Sequence, residues 1–245
     1  MDLDHPSSTE ALGQIARSNP ALQRCYHTWY ASLAKCMPAD GRVLEIGSGS
    51  AVHILRQHIP HAITSDVRPV AGVDLVFDAC RLPFGEGSLS GIVMANVFHH
   101  LHDCRSFLNE ASRCVRPGGC VAMIEPWCTP WSRLVYRLLH HEPFEPDRKE
   151  WDVCGNGPAT AANMALPWIV FQRDRLIFAR EFPQWRAKVV RLLMPLSYVL
   201  SGGLMYRSPI PDRVQRLVAV GERAMPQRLC AMFALVTLHR AGSAR

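Results

Sequence analysis

The stretch Arg42 to His58, RVLEIGSGSAVHILRQH, restricts the fold more than any other part of this chain. A short run of β-formers carries an acid, Glu45, near its end. Glycines follow at 47 and 49, and a helical apolar spacing then continues to about His58 without another glycine. A buried strand feeding a helix through a glycine turn is the opening unit of an open α/β sheet. The following sequence repeats the alternation. Strands are expected over Arg42 to Ile46, in HAITSDV ending at Asp66, over Val73 to Phe77, over Gly91 to Ala95 and over Cys120 to Glu125. Helical spacing runs from about Ser8 to Lys35, and again through SFLNEASRCV to a turn at RPGG. Most of these strands are nearly continuously apolar, which implies a parallel sheet covered by helices on both faces.

Such a sheet binds ligands beyond the carboxyl ends of its strands, beside the first strand. Glu45, Asp66, Asp78, Asn96 and Glu125 all fall at or just past those ends. One acid in such a place is commonly a helix cap, but five polar residues at successive strand ends mark a crevice that holds something. The glycine turn narrows the choice. A dinucleotide fingerprint needs a small residue at its sixth position, where this chain has Val52. A carboxylate beneath the turn suits a cationic amine better than a diphosphate, and Asp66 one strand over is placed to accept ribose hydroxyls. A nucleoside with positive charge and no phosphate is S-adenosylmethionine.

On VLEIGSGSA, SDV, FDACRLPFGEGSLSGIVMANVFHHLHD and RCVRPGGCVAMIEP, from about Gly41 to Glu125, the sequence resembles the class I S-adenosylmethionine-dependent methyltransferases. Within them it is most similar to the small-molecule methyltransferase domain family that includes quinone-biosynthesis enzymes. The resemblance implies S-adenosyl-L-methionine as cofactor. Glu45, Gly47, Ser48 and Gly49 would wall its methionine portion, and Asp66, followed by Val67, would meet the ribose. Asp78 and Ala79 would meet the adenine, and Asn96 would face the amino-acid end. One departure is Ala51, where the family often has a third glycine. If the acceptor is a hydroxyl, a general base near neutral pKa would assist, and His99 and His100 are the leading candidates among His99, His100, His102 and Asp103. The plainer alternative is an apolar helix start with Phe98 and Leu101 buried and Asp103 as its cap.

Composition closes off other classes. With 48% hydrophobic residues the chain can fill a core. No uninterrupted apolar run reaches membrane-span length, and MDLDHPSSTEALGQ lacks the features of a secretion signal, so a cytoplasmic location is expected. The nine cysteines are scattered, include no C-x-x-C pair and read as free thiols; His99, His100, His102 and Cys104 lack ligand-pair spacing, so no metal is expected. The basic excess belongs to Arg173 to Arg245, which holds 13 Lys+Arg against 4 Asp+Glu. Nucleic acid is disfavoured as acceptor, because Asn96, Val97, Phe98, His99 stands where base-amine methyltransferases carry an Asn-Pro-Pro-Tyr type of run.

Beyond Glu125 a helix is read in SRLVYRLLHH and a loop in EPFEPDRKEWDVCGNGP, with a sixth strand at Asp174 to Phe182 and a seventh at Leu229 to Arg240. The expected architecture is a Rossmann-like seven-stranded α/β sheet with helices on both faces, an antiparallel last strand and a helical insertion before it. The domains are a helical cap (1–40), the binding core (41–182), an insertion or lid (183–228) and the final strand with its tail (229–245). Cap and insertion would roof the cleft, with Tyr198, Met205 and Tyr206 suiting an apolar or anionic acceptor. Trp127, Trp131 and Trp151 read as pocket wall or as core. The function expected is methyl transfer to a small-molecule, lipid-linked or glycan-precursor acceptor, with peripheral membrane contact and oligomeric state left open. The alternatives are a nicotinamide-dependent oxidoreductase and a non-catalytic binding protein.

Overall fold

The computed structural model describes residues 13–49, 52–155, 157, 160–204, 208 and 210–242, without the side chains of residues 52 and 53. The start of the expected first helix, and Ala51, Met205 and Tyr206, lie outside the described residues. Seven strands, β1 (Val43–Ile46), β2 (Ile63–Asp66), β3 (Leu75–Val76), β4 (Leu89–Ala95), β5 (Val115–Pro126), β6 (Trp185–Leu193) and β7 (Phe233–Arg240), form one sheet. Their order across it is β3-β2-β1-β4-β5-β7-β6. The first five run parallel, and β7 lies antiparallel between β5 and β6. This is the Rossmann-like arrangement the alternation implied. Strand order reverses between β1 and β4, so the crevice opens at their carboxyl ends.

The nearly uniform apolar strands are explained by two layers of packing. On one face, Phe107 and Leu108 from helix Cys104–Cys114 join Ile169, Phe171 and Phe178 in one core. On the other, Trp29 and Leu33 from helix Pro20–Ala34 pack with Leu55 and with Val135 and Tyr136 from helix Pro130–Leu139. Asn19 caps the Pro20–Ala34 helix by accepting from the Leu22 N–H, and Asp103 caps the Cys104–Cys114 helix by accepting from the Ser106 N–H. The expected RPGG turn is instead a bulge within β5: the pairing passes from Leu89 with Val115 to Gly91 with Cys120.

The sixth strand is displaced from its expected place. Asp174 to Phe182 contains the helix Arg175–Glu181, and its Phe178 and the C-cap residue Phe182, four residues apart, are both buried while Leu176 is exposed. The strand is Trp185–Leu193, inside the segment expected to be a helical insertion. It alternates until a bulge between Val189 and Arg191 breaks the period of two, which makes the run look helical in sequence. Arg186 and Lys188 are exposed on this edge strand, where charge discourages pairing with another sheet. The remaining insertion forms helices Ser197–Ser201 and Asp212–Gly221. It docks on the Pro20–Ala34 helix through Trp29 stacked on Tyr198 and the Arg24–Asp212 ion pair.

Replacing the fully buried Phe107, which meets Phe98 edge to face, by alanine is expected to cost about 3–5 kcal/mol of stability. Urea denaturation checks it; a loss below about 0.5 kcal/mol, the scale of an ordinary surface change, would contradict the core assignment.

Candidate active site

The turn after β1 is shaped by Gly47, at φ +68°, where an added Cβ would stand 2.4 Å from Val97 Cγ2. Glycine is therefore needed on both conformational and steric grounds. The Ser48 N–H donates to the Ser65 carbonyl, and the Gly49 N–H to Asp66 Oδ2 at 3.0 Å. The other Asp66 oxygen accepts from the Arg68 N–H at 3.0 Å. Two backbone donors thus hold this buried carboxylate still while leaving it lone pairs to spare. Glu45 lies behind the turn, its Oε2 accepting from the Ser48 hydroxyl at 2.7 Å. Burial pushes its carboxyl up to about 7, against the hydrogen bonds of Tyr30 and Ser48 and the charge of Arg56, with Asp66 adding to the rise.

At the end of β4, Asn96 adopts φ +58°, a left-handed conformation uncommon for a residue with a side chain. Its Oδ1 is buried with no hydrogen-bond partner among the described residues, so an acceptor is left available to a ligand. The next three residues are fixed by Glu125, whose Oε1 accepts from the Val97 and Phe98 N–H groups, each at 2.8 Å. Its Oε2 lies 2.7 Å from His99 Nδ1. Burial alone would depress His99, but the hydrogen bond to Glu125 and the facing Glu142 outweigh it and lift the imidazole to about 9. His100 goes the other way, down to about 4, through burial and then the neighbouring His99. Its Nδ1 lies 2.9 Å from the Ala161 carbonyl.

One cavity of about 1110 Å³ joins these parts, with Gly47, Ser48, Gly49, Asp66, Val67, Asp78, Ala79, Asn96, His99 and His100 all on its wall. Glu45, expected to wall the methionine portion, is instead buried behind the turn and is not on the cavity wall. The volume exceeds the roughly 300–1,000 Å³ of an ordinary small-molecule pocket, leaving space for two reactants. The wall also includes Tyr26, Tyr30 and Tyr198, bringing the N-terminal helix and the insertion to the crevice. Trp127 and Trp151 belong to the core instead, and the Trp131 indole donates to the Pro195 carbonyl. No arginine of the basic C-terminal third lines the cavity among the described residues. The residue that sequence reading missed is Glu142, which faces both His99 and His100. The run His140, His141, Glu142 was its available signal, read only as a helix end and a loop.

Residues 44–123 match the methyltransferase domain family. That part of the chain is a methyltransferase domain. This methyltransferase shares its fold with the YcgJ protein of Bacillus subtilis, at 16% identity and a TM-score of 0.52 over 90% of this chain and 100% of that one. It is likewise similar in fold to a SAM dependent methyltransferase of Archaeoglobus fulgidus, at 12% identity and a TM-score of 0.52 over 89% of this chain and 94% of the other. No curated protein matches the sequence. The methyltransferase uses S-adenosylmethionine as its cofactor, and the unpartnered Asn96 Oδ1 and the spare lone pairs of Asp66 fit a ligand rich in donors.

Gly47→Ala is expected to weaken S-adenosylhomocysteine binding about tenfold or more, because a left-handed non-glycine residue costs about 1–2 kcal/mol before the clash with Val97 is counted. Calorimetry checks it, and unchanged affinity would mean that the turn does not shape the cofactor site.

Proposed function

We propose that the methyltransferase acts on a small-molecule, lipid-linked or glycan-precursor acceptor that has an apolar portion, and that this cavity holds acceptor and cofactor together. One observation carries the reading. The same cavity is lined by Gly47 and Asp66, by His99 and His100, and by the apolar or aromatic side chains of Tyr198, Met164, Met232 and Phe233. Leu138 and Leu139, exposed on the Pro130–Leu139 helix, also border it. An opening with exposed leucines suits an acceptor whose tail remains partly outside, in solution or at a membrane surface. Among the described residues no helix is long and apolar enough to cross a membrane.

In this reading Asp66 accepts the ribose hydroxyls with Val67 beside it. Asp78 accepts from the exocyclic amine of the adenine, which rests against Ala79. Gly47, Ser48 and Gly49 line the methionine portion, whose ammonium interacts with Glu45 behind the turn, and Asn96 receives the amino-acid end. The cofactor brings a methyl group on a good leaving group, so the residues' main tasks are alignment and exclusion of water. His99 and His100 are assigned the catalytic contribution, as the polar wall against which the acceptor's reacting atom stands.

Titration with S-adenosylhomocysteine and with NAD(H) tests the proposal. Binding of the former is expected, with a loss of about tenfold or more in Asp66→Ala, since charged hydrogen bonds contribute about 1.5–3 kcal/mol. Tight NAD(H) binding without S-adenosylhomocysteine binding would favour the oxidoreductase alternative and overturn the proposal.

A pH dependence follows from Glu45. Because its folded pKa is raised from 4.5 to about 7, the apoprotein loses stability as pH climbs through that interval. A ligand ammonium over the turn favours the ionised carboxylate, so affinity should rise between about pH 6 and 8, with a proton released on binding. The neighbouring groups are Tyr30 and Ser48 as donors, Arg56 and Asp66. Glu45→Gln should flatten the profile; an equally steep profile in that variant would remove Glu45 from the interaction.

A further inference from the structure

Glu142 is surrounded in an unusual way. Its carboxylate lies 3.5 Å from His99 Nε2 and 3.6 Å from His100 Nε2, with His140 Nδ1 and His141 Nε2 each at 3.8 Å. All its ion-pair partners among the described residues are imidazoles. The distances to His99 and His100 exceed the roughly 2.7–3.2 Å of an N–H···O hydrogen bond. They instead resemble the separation of two ligands on one ion: metal bonds of about 2.1 Å at a tetrahedral angle place neighbouring ligand atoms about 3.4 Å apart. The ligand atoms of His99, His100 and Glu142 all fall within 4.8 Å of one another.

The rear of each ring gives a second, independent observation. His99 Nδ1 is hydrogen-bonded to the buried Glu125 carboxylate at 2.7 Å, and His100 Nδ1 to the Ala161 carbonyl at 2.9 Å. An outer acceptor on Nδ1 keeps that proton in place, so that a metal ion would displace only the Nε2 proton facing Glu142, and metal-binding histidines almost always have such a partner. Here both Nε2 atoms point toward the same carboxylate. His140 differs, because its Nδ1 already accepts from the Glu142 N–H at 3.2 Å.

The frame that brings these groups together is rigid. The Asn163 N–H donates to the His99 carbonyl, and the Met164 N–H to the Pro143 carbonyl, both at 2.9 Å. The fully buried Asn163 side chain accepts from the Glu145 N–H at 3.1 Å and donates to the Glu145 carbonyl at 3.3 Å. The segment bearing Glu142 is thus tied to the one bearing the histidines.

We propose that His99 Nε2, His100 Nε2 and a carboxylate oxygen of Glu142 bind a divalent first-row metal ion, whose open positions hold an oxygen of the methyl acceptor. Two imidazoles and one carboxylate form a donor set that suits zinc or iron(II) and leaves coordination positions for substrate. The acceptor class this selects is an ionisable hydroxyl compound. Bound to the ion, the hydroxyl gives its proton to water. Its oxygen pair forms the new bond to the methyl carbon, and the carbon–sulfur pair returns to sulfur, leaving S-adenosylhomocysteine.

The inference rests on the methyl-transfer reading, so S-adenosylhomocysteine affinity is measured on the same samples. Chelator-treated full-length protein is titrated with Co²⁺, followed by visible absorption and calorimetry, and then with Zn²⁺ in competition. One Co²⁺ per chain is expected, with the ligand-field bands of a low-coordinate ion that Zn²⁺ abolishes. Glu142→Ala and His100→Ala should each lose more than the roughly 10–100-fold in affinity that an outer-shell partner contributes, while Cys80→Ala and His102→Ala bind as wild type. If circular dichroism shows Glu142→Ala unfolded, Glu142→Gln is used, with loss of at least tenfold expected. Wild-type protein that binds S-adenosylhomocysteine but no Co²⁺ overturns the metal site alone. Binding that survives in the folded Glu142 and His100 variants also overturns it, as does binding lost instead with Cys80 or His102, which lie beside Asp78. Failure of S-adenosylhomocysteine to bind overturns the methyl-transfer reading itself.

Discussion

The Glu125 carboxylate, fully buried at the end of β5, takes donors from Val97, Phe98 and His99. A buried polar group needs its oxygens occupied, and here they are occupied by the chain leaving β4. The consequence extends in both directions along that chain. Upstream, Asn96 is held in its left-handed conformation with a free acceptor, and Val97 is pressed against the glycine turn of β1. Downstream, the His99 ring has one available orientation, with Nδ1 toward Glu125 and Nε2 toward Glu142. Removing this carboxylate would release two backbone donors and an imidazole at once, so Val97 beside the glycine turn and the histidine wall share one support.

The remainder of the site comes from elements distant in sequence. Asp66 is aimed by the turn of a neighbouring strand, so the β1–β2 pairing determines where its carboxylate meets the cavity. Glu142 is aimed through Asn163 and the segment 161–164. Tyr26, Tyr30 and Tyr198 come from the N-terminal helix and the insertion, which are joined to each other by Trp29 stacking on Tyr198. The sheet supplies the polar floor of the cavity, and the added helices supply its aromatic roof.

The floor was legible in the sequence because each of its residues follows an apolar strand, a short-range signal that periodicity can detect. Gly47, Asp66, Asp78 and Asn96 each end or follow such a strand, and each lines the cavity. The roof was less legible. A bulge after Val189 disguised β6, and the helical spacing of Phe178 and Phe182 was mistaken for a strand. Glu142 was missed for a different reason: its relation to His99 depends on contacts across some 40 residues of chain, and only the fold reveals which imidazole nitrogens converge on it. Periodicity reads what lies along an element; the chemistry here lies between elements.

The account holds that the carboxyl ends of β1, β2 and β4 grip an adenosine-bearing sulfonium and present its methyl group to the histidine wall. A crystal structure with S-adenosylhomocysteine tests this most directly. The account predicts the ribose on Asp66, the adenine beside Asp78 and Ala79, the methionine portion over the Gly47–Gly49 turn, and the sulfur facing the space bordered by His99, His100 and Glu142. Density for the ligand elsewhere, or with its sulfur turned away from those three side chains, would contradict it.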